Sequence, residues 1–317
     1  MAMQLHVAHS ARIRGVGLFA GPAYSCALDN SIWNYLWANS NRALGRCMKG
    51  GPEPVPVEEI VVRIRRLADL SRIDPVQGLT DARAWLLSGD NDQTVRPAAM
   101  AAVEAVYRAF ARAPENVTLN RTIPVGHGWP TLASDSNPGD GVDECATTQP
   151  PFFNPCRSPA TSEMLRFLLR RDPAGGRPPS KLIKFDQKPF RGGSASATGI
   201  GDTGFLCVPQ PIDANTRVHI ALHGCCQSAA YIGDLFPIET GLADAAAAFN
   251  LAILFPQSAE SLTNPKGCWD WWGYNEWTKW RSDDGFDFPT RCGAQIRAIM
   301  AMVGGISGEI IAAPGCG

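Results

Sequence analysis

Two residues in this chain have the type and placement of an acid–base pair. Asp92 lies in SGDNDQTV and His127 in GHGWP, each just beyond a short apolar run that reads as a strand. A carboxylate there can orient an imidazole, and the imidazole can take a proton from a nucleophile. Acid before base is the chain order of strand-end serine hydrolases. A third element is His223-Gly224-Cys225, which ends another strand-like segment. Glycine lets the backbone come close to a ligand, and the N–H of Cys225 is the candidate oxyanion donor. The chemistry these residues would serve is acyl transfer to water. The plainer readings are that Asp92 caps its own turn and that His127 is a loop histidine.

The nucleophile is the part not found. No GxSxG, the strained turn that exposes a serine between strand and helix, occurs in the 317 residues. Ser194 in GGSAS and Ser307 in GISGE come nearest, and both read as loop serines. Cys225 or Cys226 could replace serine only as a free thiolate, and disulfide bonding competes with that role.

The elements that must position these residues follow from periodicity. Apolar Met1, Leu5 and Ala8 predict a helix over residues 1–11, and GVGLFA (15–20) a buried strand. Ile60, Val61, Ile64 and Leu67 share one face of a helix over 58–70, with Glu59 and Arg63 paired on the other. AWLLS (84–88) is the strand before Asp92. Pro97 opens a helix whose core face carries Met100, Val103, Tyr107 and Phe110. VTLNRTIPV (117–125) is the strand before His127, and a helix follows Ser158-Pro159. After a Pro/Gly-rich stretch at 173–180, GFLCVP, VHIALHGCCQ, an Ala-rich helix near 240–249 and LAILFPQ make a βαβ pattern. A helix is predicted at 292–303.

Composition bounds the class. The chain is 45% hydrophobic and 19% charged with a net charge of −1, which offers nothing to nucleic acid or an acidic membrane surface. No apolar run reaches the roughly 18 residues of a membrane span, which predicts a soluble protein. Ten cysteines without a CxxC pair or zinc spacing favour disulfides and an oxidising compartment over a metal site. The start, MAMQLHVAHSARIRG, has no apolar signal-peptide core.

Taken together, QLHVAHS, FAGPAYSCA, SGDNDQTV, GHGWPT, PFFNPC, DTGFLCVP, LHGCCQ and NPKGCWDWWGY resemble, in order, the blocks of the circularly permuted poly(3-hydroxybutyrate) depolymerase family. The resemblance implies one α/β-hydrolase domain over 1–317, a mostly parallel sheet with helices on both faces. Residues 1–172 would be the half with acid and base, and 181–317 the half with the oxyanion loop. It implies Asp92 and His127 as triad members and the Cys225 N–H as oxyanion donor. The family's GLSSGxxMAxQ turn would place Met1 just inside the following helix, so the serine and its central strand would fall before Met1. Disulfides Cys26–Cys47, Cys145–Cys156 and Cys225 or Cys226 with Cys268 are implied, with Cys207, Cys292 and Cys316 unassigned. GPAYSCA departs from the family's GGPYxCA.

The expected function is a serine esterase cleaving polyester, extracellular or periplasmic, monomeric, with no cofactor and no metal, and inactive as written. Trp129, Trp277 and Trp280 are the candidate substrate-binding residues, the latter two as an apolar patch for a solid polymer. Trp269, beside Cys268, reads as core. A polymer-binding relic without catalysis and an esterase for smaller or cell-wall esters are the competing functions.

Overall fold

A computed structural model describes residues 1–28, 35–132, 142–276 and 285–308. Nine strands are named here: β1 (Gly15–Phe19), β2 (Arg83–Leu87), β3 (Val117–Asn120), β4 (Trp129–Thr131), β5 (Phe153–Pro155), β6 (Lys181–Asp186), β7 (Thr203–Val208), β8 (Arg217–Ile220) and β9 (Leu251–Phe255). The chain forms two compact units, one of residues 1–158 and 270–293, the other of residues 159–269 and 294–317.

In the first unit β1, β2 and β3 pair in parallel in that order, with Leu87 opposite both Phe19 and Asn120. Parallel strands require crossover connections, here the helices Val57–Asp69 and Pro97–Arg108. The first buries Ile60, Val61, Ile64 and Leu67 and exposes Glu59; Pro97 opens the second. β2 is buried from Ala84 onward, since both faces of a parallel sheet are covered. The helix Ala2–Ala8 packs on β1 and buries Met3 and Leu5. A separate two-stranded parallel ladder joins β4 to β5.

The expected strand over 117–125 stops at Asn120. Asn120 Oδ1 accepts from the Thr122 N–H at 2.9 Å, and this side-chain turn competes with the ladder and ends it. The remaining residues form the approach to His127.

In the second unit the order is β6-β7-β9-β8. β8, the helix Leu242–Ala248 and β9 form the expected parallel βαβ unit, with Ile220 opposite Leu254. β9 is buried at every position; five such side chains at about 1.5–3 kcal/mol each for the large ones make it the unit's main hydrophobic anchor. β6 and β7 are antiparallel, and so are β7 and β9, beside the parallel pairs β1–β2, β2–β3 and β8–β9 that keep the pairing mostly parallel. KLIKFD alternates with Lys181 and Lys184 on an edge strand, which charges protect from pairing with another chain. The Pro/Gly-rich stretch at 173–180 lies inside this unit, and Ala174 N–H bonds Ala248 O at 2.8 Å. The last helix runs Ala294–Ser307.

Disulfides join Cys26 to Cys47, Cys145 to Cys156 and Cys225 to Cys268. Cys292 is disulfide-bonded too, and Cys207 and Cys226 are free thiols. Trp277, Trp280 and Cys316 lie outside the described residues.

Candidate active site

Parallel pairing brings the ends of β2 and β3 side by side, and Ser88 N–H continues the ladder to Asn120 O at 3.0 Å. The loops beyond these ends carry Asp92 and His127. They converge because Gly89 has no side chain: a Cβ there would overlap the Val125 carbonyl. Carboxyl ends of parallel strands are the ordinary place for such loops to build a site.

Asp92 is fully buried. Its Oδ1 accepts the N–H groups of Thr94 and Val95, both at 2.8 Å, and its Oδ2 lies 2.9 Å from His127 Nδ1. A buried carboxylate needs such partners, and this one has three. Asp92 therefore both caps its turn and holds the imidazole. Because a carboxylate accepts, Nδ1 carries the proton and Nε2 is left as the acceptor. His127 is 29% exposed and Nε2 has no partner among the described residues. The His127 backbone is held by its N–H on Thr148 Oγ1 at 2.9 Å, and Gly126 N–H bonds Cys145 O at 2.9 Å. Trp129, half-buried, stacks on Phe19 at 3.7 Å between ring centroids. Phe19 also packs on buried Trp85.

In the second unit the Cys225 turn is built by side chains that sequence reasoning had passed over. Gln227 Oε1 accepts the Gly224 N–H at 2.9 Å, and Gln227 N–H returns to Gly224 O at 3.3 Å. Cys226, at φ 57, gives its N–H to Lys266 O at 2.8 Å. Of the four N–H groups from Gly224 to Gln227, only that of exposed Cys225 has no acceptor among the described residues. The disulfide to Cys268 fixes this residue, and Asn264 brackets Cys268 by accepting its N–H and donating to its carbonyl. The Gln of LHGCCQ and the Asn of NPKGC, four residues before its partner cysteine, were the available signals.

His223 is a strut in this turn. Nδ1 donates to Gly224 O at 2.7 Å, and Nε2 accepts from Ser258 N–H at 3.2 Å. Burial lowers its pKa to about 4, against the opposing effect of the Gly224 bond, so the ring is neutral. Ser258 Oγ lies 3.3 Å from Nε2 but sends its proton to Gly267 O at 2.5 Å. The pair is therefore a structural brace, with no carboxylate behind the imidazole. Trp269 is buried against His223, in keeping with its reading as core. Ser194 caps the turn at Ala195–Thr198 by accepting from Ala197 N–H, and Ser307 Oγ bonds Val303 O.

A carboxylate–imidazole pair on adjacent strand-end loops of a parallel sheet is the acid–base arrangement of the α/β-hydrolase class. No protein-family model matches the chain. It is 32% identical over 315 residues to a poly(3-hydroxybutyrate) depolymerase of Delftia acidovorans, covering 97% of this chain and 57% of that protein. The chain thus spans little more than half of that relative. It is 30% identical over 293 residues to a polyhydroxybutyrate depolymerase of Talaromyces funiculosus, covering 86% of this chain and 79% of the relative. Among solved structures it resembles PHB depolymerase from Penicillium funiculosum, with TM-score 0.74 and 27% identity over 93% of this chain and 88% of that one. A serine-to-alanine PHB depolymerase variant complexed with an R3HB trimer gives TM-score 0.73 at the same identity and coverage. The chain belongs to the polyhydroxybutyrate depolymerase family.

Proposed function

We propose that these residues supply the base, its orienting acid and an oxyanion donor to a serine esterase that cleaves poly(3-hydroxybutyrate). The observation that carries this is the 2.9 Å bond from His127 Nδ1 to buried Asp92, which leaves Nε2 as the free base. Nε2 takes the proton of a serine hydroxyl as it attacks the ester carbonyl, and returns it to the leaving alkoxide. The acyl-enzyme is then opened by water activated the same way. Asp92 keeps the imidazole in the required tautomer. The Cys225 N–H, unused by its own turn, donates to the carbonyl oxygen as it becomes negative. Trp129, on its Phe19 platform, offers an apolar face to the polymer's methyl-bearing backbone.

The order of elements, acid- and base-bearing strands first, supports a permuted hydrolase. No serine of residues 1–317 stands in an elbow motif, and Ser194 and Ser307 are occupied structurally. Residues 1–317 alone are therefore expected to hydrolyse polyester negligibly. The disulfides, those of Cys26–Cys47, Cys145–Cys156 and Cys225–Cys268 and the one made by Cys292, favour an extracellular or periplasmic setting.

A polymer-binding reading without catalysis has one favourable observation. Tyr231, Leu235 and Ile238 are exposed within eight residues of chain, and Leu262 is fully exposed.

The test compares residues 1–317 with the same residues preceded by the family's strand and GLSSG turn, on polyester granules and on soluble short-chain esters. The extended protein should release hydroxy acid, blocked by a serine-directed reagent, at roughly 10⁶ times the rate of residues 1–317. Reagent-sensitive turnover by residues 1–317 would overturn the absence of a nucleophile. A folded but inactive extended protein that adsorbs to granules would establish binding instead, and activity confined to soluble esters would change the substrate.

A further inference from the structure

We infer that Phe152 is a positioning residue for the His127 imidazole, held against the ring by a disulfide-closed loop in a backbone conformation that phenylalanine rarely adopts. The inference rests on the proposed role of His127 as base.

Phe152 has φ 63, in the left-handed region where glycine is at ease and a bulky side chain is not. Burial does not account for a phenylalanine there, because the residue is only half-buried. Its ring meets His127 edge to face, with centroids 6.2 Å apart and planes at 73°. Strain of this kind persists only where the surroundings impose it, and it concentrates at functional sites.

The surroundings do impose it. The loop is closed by the Cys145–Cys156 disulfide and organised from within by Asn154, which is 1% exposed. Asn154 Nδ2 donates to Cys145 O at 2.7 Å and to Thr147 O at 2.8 Å. Phe152 N–H bonds Gln149 O at 2.9 Å, and Phe152 O accepts the Trp129 N–H at 2.8 Å. The loop is thereby bonded to the segment carrying His127, and Trp129 pairs with Phe153 where β4 meets β5. The two glycines flanking His127 make this approach possible. A Cβ on Gly126 would overlap the carbonyls of Ala146 and Thr147, and one on Gly128 would overlap Asn154 Oδ1 and crowd Phe152 O.

The consequence is directional. Asp92 fixes Nδ1 through one hydrogen bond, which restrains the ring's position and leaves its plane free to tilt about that bond. The Phe152 contact restrains the tilt, and so the direction in which Nε2 presents its lone pair. Base catalysis depends on that direction.

The test uses residues 1–317 and requires no turnover. Phe152→Gly removes the ring and the backbone strain together, Phe152→Asn removes the ring but tolerates the left-handed backbone, and Phe152→Tyr keeps the edge contact. Two rates are measured: solvent exchange of the His127 Nδ1 proton by NMR, and carbethoxylation of His127 by diethyl pyrocarbonate, read by mass spectrometry. An edge-to-face aromatic contact of ordinary strength predicts that both rates rise about threefold to tenfold in Phe152→Gly and Phe152→Asn. Phe152→Tyr should match the parent, and the melting temperature of Phe152→Gly should not fall. Unchanged rates in a folded Phe152→Gly or Phe152→Asn protein overturn the inference, as does a fall in melting temperature with both rates unaltered. Because neither rate depends on ester cleavage, failure here is separable from failure of the esterase reading, which the extended protein tests.

Discussion

Asp92 shows how one side chain can serve folding and, in the proposed mechanism, chemistry as well. It accepts three hydrogen bonds at zero exposure, two of them from the backbone N–H groups of half-buried Thr94 and buried Val95. Removing the carboxylate orphans those donors, and each buried orphan costs about 1–3 kcal/mol. Asp92→Ala should therefore lose roughly 2–4 kcal/mol of stability in residues 1–317, measured by urea unfolding. Asp92→Asn keeps an acceptor for the turn and should cost less, yet it presents the wrong partner to Nδ1. In a serine-bearing protein its turnover should fall by roughly 10⁴-fold. Equal instability of the two variants would mean that the turn bonds do not matter. The residue-scale lesson concerns visibility. Asp92 and His127 were legible because residue type, strand-end position and chain order converge on them. Gln227, Asn264 and Thr148 act by holding other residues' backbones, a role that residue type alone does not announce.

At the scale of elements, periodicity located what is regularly buried and failed where a side chain captured the backbone. β9 and the helix Val57–Asp69 carry unbroken apolar patterns and fall where expected. β3 ends early at the Asn120 turn, and β6 was hidden because KLIKFD carries charges on an edge. The strap at 173–180 is a further case, a Pro- and Gly-rich stretch without apolar periodicity that is nonetheless tethered in the structure. Arg177 bonds Asp213 at 3.0 Å and Asn250 at 2.9 Å, and Asn250 Nδ2 reaches Asp213 at 2.9 Å. The Asn250 bond, then the Arg177 bond, hold the Asp213 pKa down at about 2. The sign follows: a depressed carboxylate stabilises above its ordinary value near 3.8 and loses that contribution as pH falls toward 2. Amide hydrogen exchange within 173–180 should accelerate over that window in the parent protein relative to Asp213→Asn, in which the strap is already loosened. Parallel pH profiles for the two would show that the tether does not hold the strap.

For the molecule as a whole, the histidines divide by exposure. His6, His9 and His223 are buried, and burial lowers each to a pKa of about 4. For His9 the nearby Asp74 opposes that shift, and Arg291 and Arg12 add to it. His6 meets Tyr107 OH at 3.0 Å through Nδ1, while His6 Nε2 and His9 Nε2 are enclosed with no hydrogen-bond partner among the described residues. Protonating any of them in place would bury an uncompensated charge. The unfolded chain, with each imidazole near its ordinary 6.5, binds these protons first. Stability is thus present above pH 6.5 and is lost as pH falls from there to about 4, the reverse of a histidine that gains a carboxylate partner. His6 and His9 belong to one unit and His223 to the other, so both units should weaken together on acidification. Urea unfolding followed from pH 7.5 to 4 should show a slope to which these rings and His219, lowered to about 4 by burial as well, contribute up to four protons per chain, and from which Asp270, pushed up to about 7 by burial, subtracts about one. His6→Gln and His9→Gln should each reduce the slope by about one proton in the first unit, and His223→Gln should do so in the second. A flat profile across this range would mean that these rings are protonated in the folded chain.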